Sequence, residues 1–289
     1  MDNMKPVKQW TIQGFNEGRW TRMLRSMLPL GALACGIAAT QAANAGELVQ
    51  LPVRDHQTQS IYLEQPSAAP RWVVVLFAGD DGAVGLNDSG PTGLKGNFLI
   101  RTATYWSAAG DAAAIFDAPS DQSSGMNDAF RLGEVHAQDI HVVIAALRQR
   151  FPAAKIALVG TSRGTISVGN ALKREPHDAD AYVLTSPVTI ASRGQAGLSG
   201  MQWDVGTTPV LVVSNENDAC RVSPFNAAHA LADDSRLQFL PVSSNQRGGV
   251  RADECSGKAP HGYLGIESQV LSAIARWLDD PASVGTASR

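Results

Sequence analysis

Lys155-Ile-Ala-Leu-Val-Gly-Thr-Ser-Arg-Gly164 is the stretch that decides how this chain reads. Its first half, Lys155 to Val159, is a short apolar run of strand length and β-like composition. Its second half, Gly160-Thr161-Ser162-Arg163-Gly164, fits the pattern G-x-S-x-G. A serine on a sharp strand-to-helix turn needs small residues two before and two after it, because side chains there would collide with the neighbouring backbone. Both positions are glycine. Residues 166–173 are mostly good helix material, so strand, turn and helix come in the required order and Ser162 becomes the candidate nucleophile. In a chain with 27 glycines the same five residues can also arise as an ordinary turn, so chain order has to carry the argument further.

In known proteins that carry such an elbow, an acid and then a histidine follow the serine, each on a loop after a later strand. Pro209-Val-Leu-Val-Val213 reads as a buried parallel strand and leads into the polar loop Ser214-Asn-Glu-Asn-Asp218. Asp218 is the candidate acid, with Glu216 as the alternative. A further short strand over 236–242 is followed by a polar loop and Ala259-Pro-His261-Gly-Tyr263, ahead of a helical stretch over 265–278. His261 is the candidate base. The other five histidines fall elsewhere: His56 near the start of the mature chain, His136 and His141 on one predicted helix, His177 in a polar turn and His229 within a helix.

The chemistry explains the set of three. A serine hydroxyl is a weak nucleophile near neutral pH, so His261 would take its proton during attack and return it to the leaving group. Asp218 would hold the imidazole in the right tautomer and stabilise the imidazolium. Charge developing on the substrate carbonyl needs donors already aimed at it. One is the backbone N–H of Arg163, the residue after the nucleophile. The second is expected from the loop after the buried strand Arg71-Trp-Val-Val-Val-Leu-Phe77, namely the backbone N–H of Asp80 in Ala78-Gly79-Asp80-Asp81-Gly82. The glycine-rich tract over 80–97 lacks the Gly-Lys-Ser/Thr ending of a P-loop and the alternating ligands of an EF-hand.

With these residues in place the chain resembles the α/β-hydrolase superfamily, specifically its secreted bacterial serine esterases, over nearly all of its mature length. Strands are expected at 47–53 and 60–64 as an opening antiparallel pair, then at 72–77, 112–117, 155–159, 181–186, 209–213 and 236–242. Helices are expected around 98–109, 133–150, 164–174, 224–232 and 265–278, as right-handed crossovers on an open, mostly parallel eight-stranded sheet. The resemblance implies ester hydrolysis through an acyl-enzyme on Ser162, with no metal and no organic cofactor. The oxyanion loop departs from it, reading Gly-Asp-Asp-Gly where many lipases have His-Gly-Gly-Gly.

The ends and the composition set the context. Arg19, Arg22 and Arg25 precede an apolar run over 27–39, and Ala43-Asn44-Ala45 supplies a small-x-small site, so residues 1–45 read as a signal peptide cleaved after Ala45. Translation from Met23 is an alternative start, lipidation at Cys35 an alternative processing, and the apolar run is too short to span a bilayer comfortably. The remaining 244 residues suit one domain and carry 19 basic and 25 acidic side chains, a net charge of −6 with no basic cluster, which makes nucleic acid a poor partner. Of three cysteines, Cys35 leaves with the signal, and the pair Cys220 and Cys255 flanks the acid and histidine loops. If the triad assembles, those loops are neighbours, so a disulfide is expected.

The substrate is less legible. The segment over 191–208, where this superfamily often inserts a lid, is short, with Met201 and Trp203 as candidate cleft walls or packing residues. Asp117-Ala-Pro-Ser-Asp121 either shapes a substrate pocket or is a proline-fixed turn. The Arg163 side chain either meets an anionic substrate group or pairs with Asp80, Asp81 or Asp121. Ester, thioester, lactone and amide all remain open, as does a periplasmic binding protein that keeps the fold without catalysis.

Overall fold

The structure, a computed structural model, describes residues 46–249 and 253–284. The proposed signal peptide lies outside the described residues. Eight strands form one sheet: β1 (Glu47–Arg54), β2 (Gln57–Glu64), β3 (Trp72–Phe77), β4 (Ala112–Phe116), β5 (Lys155–Thr161), β6 (Ala181–Thr185), β7 (Val210–Asn215) and β8 (Gln238–Val242). Their spatial order is β1-β2-β4-β3-β5-β6-β7-β8. β1 and β2 pair antiparallel, β2 meets β4 antiparallel, and every later neighbour is parallel.

Sequence dictates this layering. The six residues of β3 are all buried, as are those of β4 and β6, which is the pattern of strands covered on both faces. Alternate side chains of β3 feed two cores. Val73, Val75 and Phe77 join one with α4 (Glu134–Arg150), α5 (Gly164–Arg174) and α6 (Phe225–Asp234), while Val74 and Leu76 join the other with α7 (Glu267–Asp279). No described helix is long and apolar enough to cross a membrane.

The expected helix over 98–109 is two short ones, α1 (Phe98–Arg101) and α2 (Thr104–Ala108). Thr102 breaks it: its φ of −115° is non-helical, and its hydroxyl donates to the Phe98 carbonyl at 2.7 Å. Between the crossovers the chain also forms α3 (Asp128–Arg131), a single turn capped by the Asn127 side chain that sequence periodicity does not mark. The last strand begins at Gln238, not Arg236, because Arg236 adopts a φ of +55°.

Candidate active site

The turn after β5 is built as its sequence requires. Ser162 has a φ of +51°, outside the range of ordinary helix and strand. A Cβ on Gly160 would stand 2.6 Å from the Gly164 carbonyl oxygen, and one on Gly164 would stand 2.1 Å from the carbonyl oxygen of Phe77. Neither approach tolerates a side chain, so the two glycines allow β5, the turn and the neighbouring strand end to close on one another. The Ser162 N–H donates to the Thr185 carbonyl at 3.0 Å, and the Ser162 carbonyl accepts from Thr165 N–H at 3.0 Å. The backbone thus pins the turn on both sides and leaves the serine side chain at the head of α5.

Asp218 and His261 come together on the loops that follow β7 and β8. His261 Nδ1 lies 2.8 Å from Asp218 Oδ2, and both side chains are buried. An ionised carboxylate only accepts, so Nδ1 carries the proton and Nε2 is left with its lone pair. Nε2 is buried and has no partner among the described residues. Asp218 Oδ1 accepts from the Cys220 N–H at 2.9 Å, which fixes the carboxylate plane. Glu216, the alternative acid, is exposed, and its N–H is tied to the Val242 carbonyl at 2.9 Å.

Three residues that the sequence did not single out hold the histidine loop. Ser186 Oγ donates to the His261 carbonyl at 2.8 Å, Asn215 Nδ2 donates to the Pro260 carbonyl at 3.0 Å, and Tyr263 Oη donates to the Val213 carbonyl at 2.9 Å. Burial lifts the Tyr263 phenol well above its ordinary pKa, against the opposing pull of its hydrogen bond with Ser186, so it stays a donor. A disulfide joins Cys220 to Cys255, tying the acid loop to the segment just before His261. Ligating atoms of Asp218, Cys220 and His261 lie within 4.8 Å of one another, yet the Cys220 sulfur is in the disulfide and the other two groups bond each other.

Ser162, Arg163, Asp80 and His261 line one cavity of about 450 Å³, with Leu94 and Phe98 among its apolar walls. Asp80 has a φ of +54°, and its turn is closed by Gly82 N–H donating to the Gly79 carbonyl at 3.1 Å. Gly79 packs against the elbow, since a Cβ there would stand 2.9 Å from that of Ser162. Neither the Asp80 nor the Arg163 backbone N–H donates to another described residue.

Other expectations are corrected. The Arg163 guanidinium pairs with Asp128, not with Asp80, Asp81 or Asp121: its Nε donates to Asp128 Oδ1 at 3.0 Å, and Asp128 Oδ2 accepts from Gly197 N–H at 2.9 Å. Asp121 is held instead by Arg54, through contacts of 2.8 and 2.9 Å. Asp117 belongs to a structural turn, its carboxylate accepting the N–H groups of Val84, Gly85, Leu86 and Ala118 at 2.7 to 3.1 Å. Trp203 is a packing residue: it is buried against α5, its indole N–H donates to the Gly169 carbonyl at 2.8 Å, and neither it nor Met201 lines the cavity.

No family model matches the chain, and no curated protein does. Solved structures do. An α/β serine hydrolase without a lid from Xanthomonas campestris aligns over 81% of this chain and 95% of its own, at 15% identity and a TM-score of 0.53. An α/β serine hydrolase homologue from Coxiella burnetii aligns over 81% and 97%, at 18% identity and a TM-score of 0.54. Est1E from Butyrivibrio proteoclasticus aligns over 82% and 99%, at 15% identity and a TM-score of 0.54. The fold of this chain is the α/β-hydrolase fold.

Proposed function

We propose that the protein is a serine hydrolase that cleaves small or medium carboxylic esters through an acyl-enzyme on Ser162. The observation that carries this reading is the meeting, at one cavity, of a serine on a positive-φ turn and a histidine whose Nδ1 is bound to a buried aspartate and whose Nε2 is unpaired. His261 Nε2 accepts the Ser162 proton as Oγ attacks the ester carbonyl, and the backbone N–H groups of Arg163 and Asp80 receive the oxyanion. Collapse of the tetrahedral intermediate expels the alcohol, which takes the proton from His261. Water then repeats the sequence on the acyl group and frees the acid.

Export supports the same picture. A signal peptide ending at Ala45 would deliver the chain to an oxidising compartment, where a Cys220–Cys255 disulfide persists. The segment over 191–208 leaves the cavity without a cap of its own, because Leu198 and Trp203 pack into the core beside α5. Turnover of short-chain p-nitrophenyl esters tests the reading. Ser162→Ala and His261→Ala should each lose on the order of 10⁴- to 10⁶-fold in kcat, and the double variant little more, because members of a triad act as a unit. Substantial turnover by Ser162→Ala would sink the assignment.

A further inference from the structure

Behind the loop that carries Asp80 lies a cation that the triad does not use. Arg131, the last residue of α3, is 1% exposed and forms no ion pair with a carboxylate among the described residues. Burial, with help from the nearby Arg163 charge and against the weaker pull of Asp128, Asp81 and Asp80, lowers its pKa to about 10, so it is still protonated at neutral pH. Its Nη1 donates to Ser167 Oγ at 2.9 Å, and its Nη2 donates to the Asp80 carbonyl at 3.3 Å. A Cβ on Gly82 would come within 2.4 Å of Nη2, so the loop has been kept bare where the guanidinium passes. Taking a cation out of water without a paired carboxylate costs several kcal/mol, so its place here calls for a reason.

Asp80 supplies one. A non-glycine residue at a φ of +54° persists only where its surroundings hold it. We infer that Arg131 is a positioning residue for oxyanion stabilisation: its guanidinium grips the Asp80 carbonyl, keeps the left-handed turn that leaves the Asp80 N–H free at the cavity, and sets a fixed positive charge behind that N–H. The substrate carbonyl is neutral in the ground state and anionic in the tetrahedral intermediate. A fixed donor and charge therefore lower the second state far more than the first, and their loss falls on kcat and not on KM.

The inference rests on the acyl-enzyme reading, and one set of assays separates the two. Wild type, Arg131→Met and Arg131→Lys are compared in the mature protein for p-nitrophenyl butyrate turnover and for thermal midpoint. Arg131→Met should lose on the order of 10- to 100-fold in kcat with KM within about threefold, a smaller share than deletion of a direct oxyanion donor. Arg131→Lys keeps the charge but offers a single nitrogen, so it should fall between Met and wild type. Both should melt within a few degrees of wild type. A kcat within twofold of wild type for Arg131→Met, or for the charge-free Arg131→Gln should the Met variant not fold, overturns the inference. So does a loss shared equally by kcat, KM and the thermal midpoint. A wild-type protein with no Ser162-dependent turnover contradicts the hydrolase reading instead.

Discussion

At the residue scale, the loop after β7 presents two carboxylates, and burial tells them apart. Asp218 reaches inward to His261 and to the Cys220 N–H, while Glu216 points to solvent. Asp218→Asn should therefore cost roughly 10²- to 10⁴-fold in kcat/KM, and Glu216→Gln less than about threefold. A steady-state comparison in which Glu216→Gln is the more damaged enzyme would transfer the acid to Glu216. Ser162, Asp218 and His261 could be proposed together because chemistry constrains their type and the superfamily resemblance implies their order along the chain. Ser186, Asn215 and Tyr263 were not, although two of them lie inside stretches already quoted. Each acts by donating to a carbonyl that only the tertiary fold brings near, and nothing in a side chain's identity announces that partner. The partner of Arg163 was missed for a related reason: Asp128 sits on a single helical turn too short to show periodicity.

At the element scale, the strands were the clearest signal, since runs such as Trp72–Phe77 are apolar throughout and can only be buried on both faces. Ends were less clear. Thr102 splits one expected helix by bonding back to Phe98, a local hydrogen bond that competes with the helix it interrupts. The loops after β7 and β8 depend on a covalent tie between Cys220 and Cys255, which are 35 residues apart in sequence. Closing a loop of that size adds on the order of 3 to 4 kcal/mol by the chain-entropy estimate. The Cys220→Ala, Cys255→Ala double variant should lose about that much in urea unfolding, and kcat should drop as well, because Asp218 and His261 would no longer be held in register. Unchanged stability and turnover in that variant would show that the hydrogen bonds of Ser186, Asn215 and Tyr263 hold the loops unaided.

At the scale of the whole molecule, eight strands carry two apolar faces, and the site stands where β5, β7 and β8 hand over to their loops. The mostly parallel eight-stranded sheet could be expected from resemblance, but the polar contents of the core could not. His136 is fully buried on α4 beside Ser167 Oγ, 2.9 Å away, between the rings of Phe116 and Phe130. Burial, with the Arg131 and Arg54 charges, lowers its pKa from 6.5 to about 3. The unfolded chain therefore binds a proton there that the folded chain refuses, and stability present above pH 6.5 is lost as pH falls towards 3. The slope from this one group approaches about 1.4 kcal/mol per pH unit. Thermal midpoints of wild type and His136→Gln, followed from pH 7 to pH 4, should converge as pH falls; parallel curves would mean that His136 takes up its proton as readily in the folded chain as in the unfolded one.

If Ser162 is a nucleophile activated by His261, a fluorophosphonate reads that most directly because it reacts with a serine so activated. Intact-mass measurement of the protein after brief exposure should show a single adduct, located by peptide mapping on Ser162, with none on Ser162→Ala and far slower labelling of His261→Ala. A folded wild-type protein that stays unmodified, or one labelled equally well without His261, would contradict it.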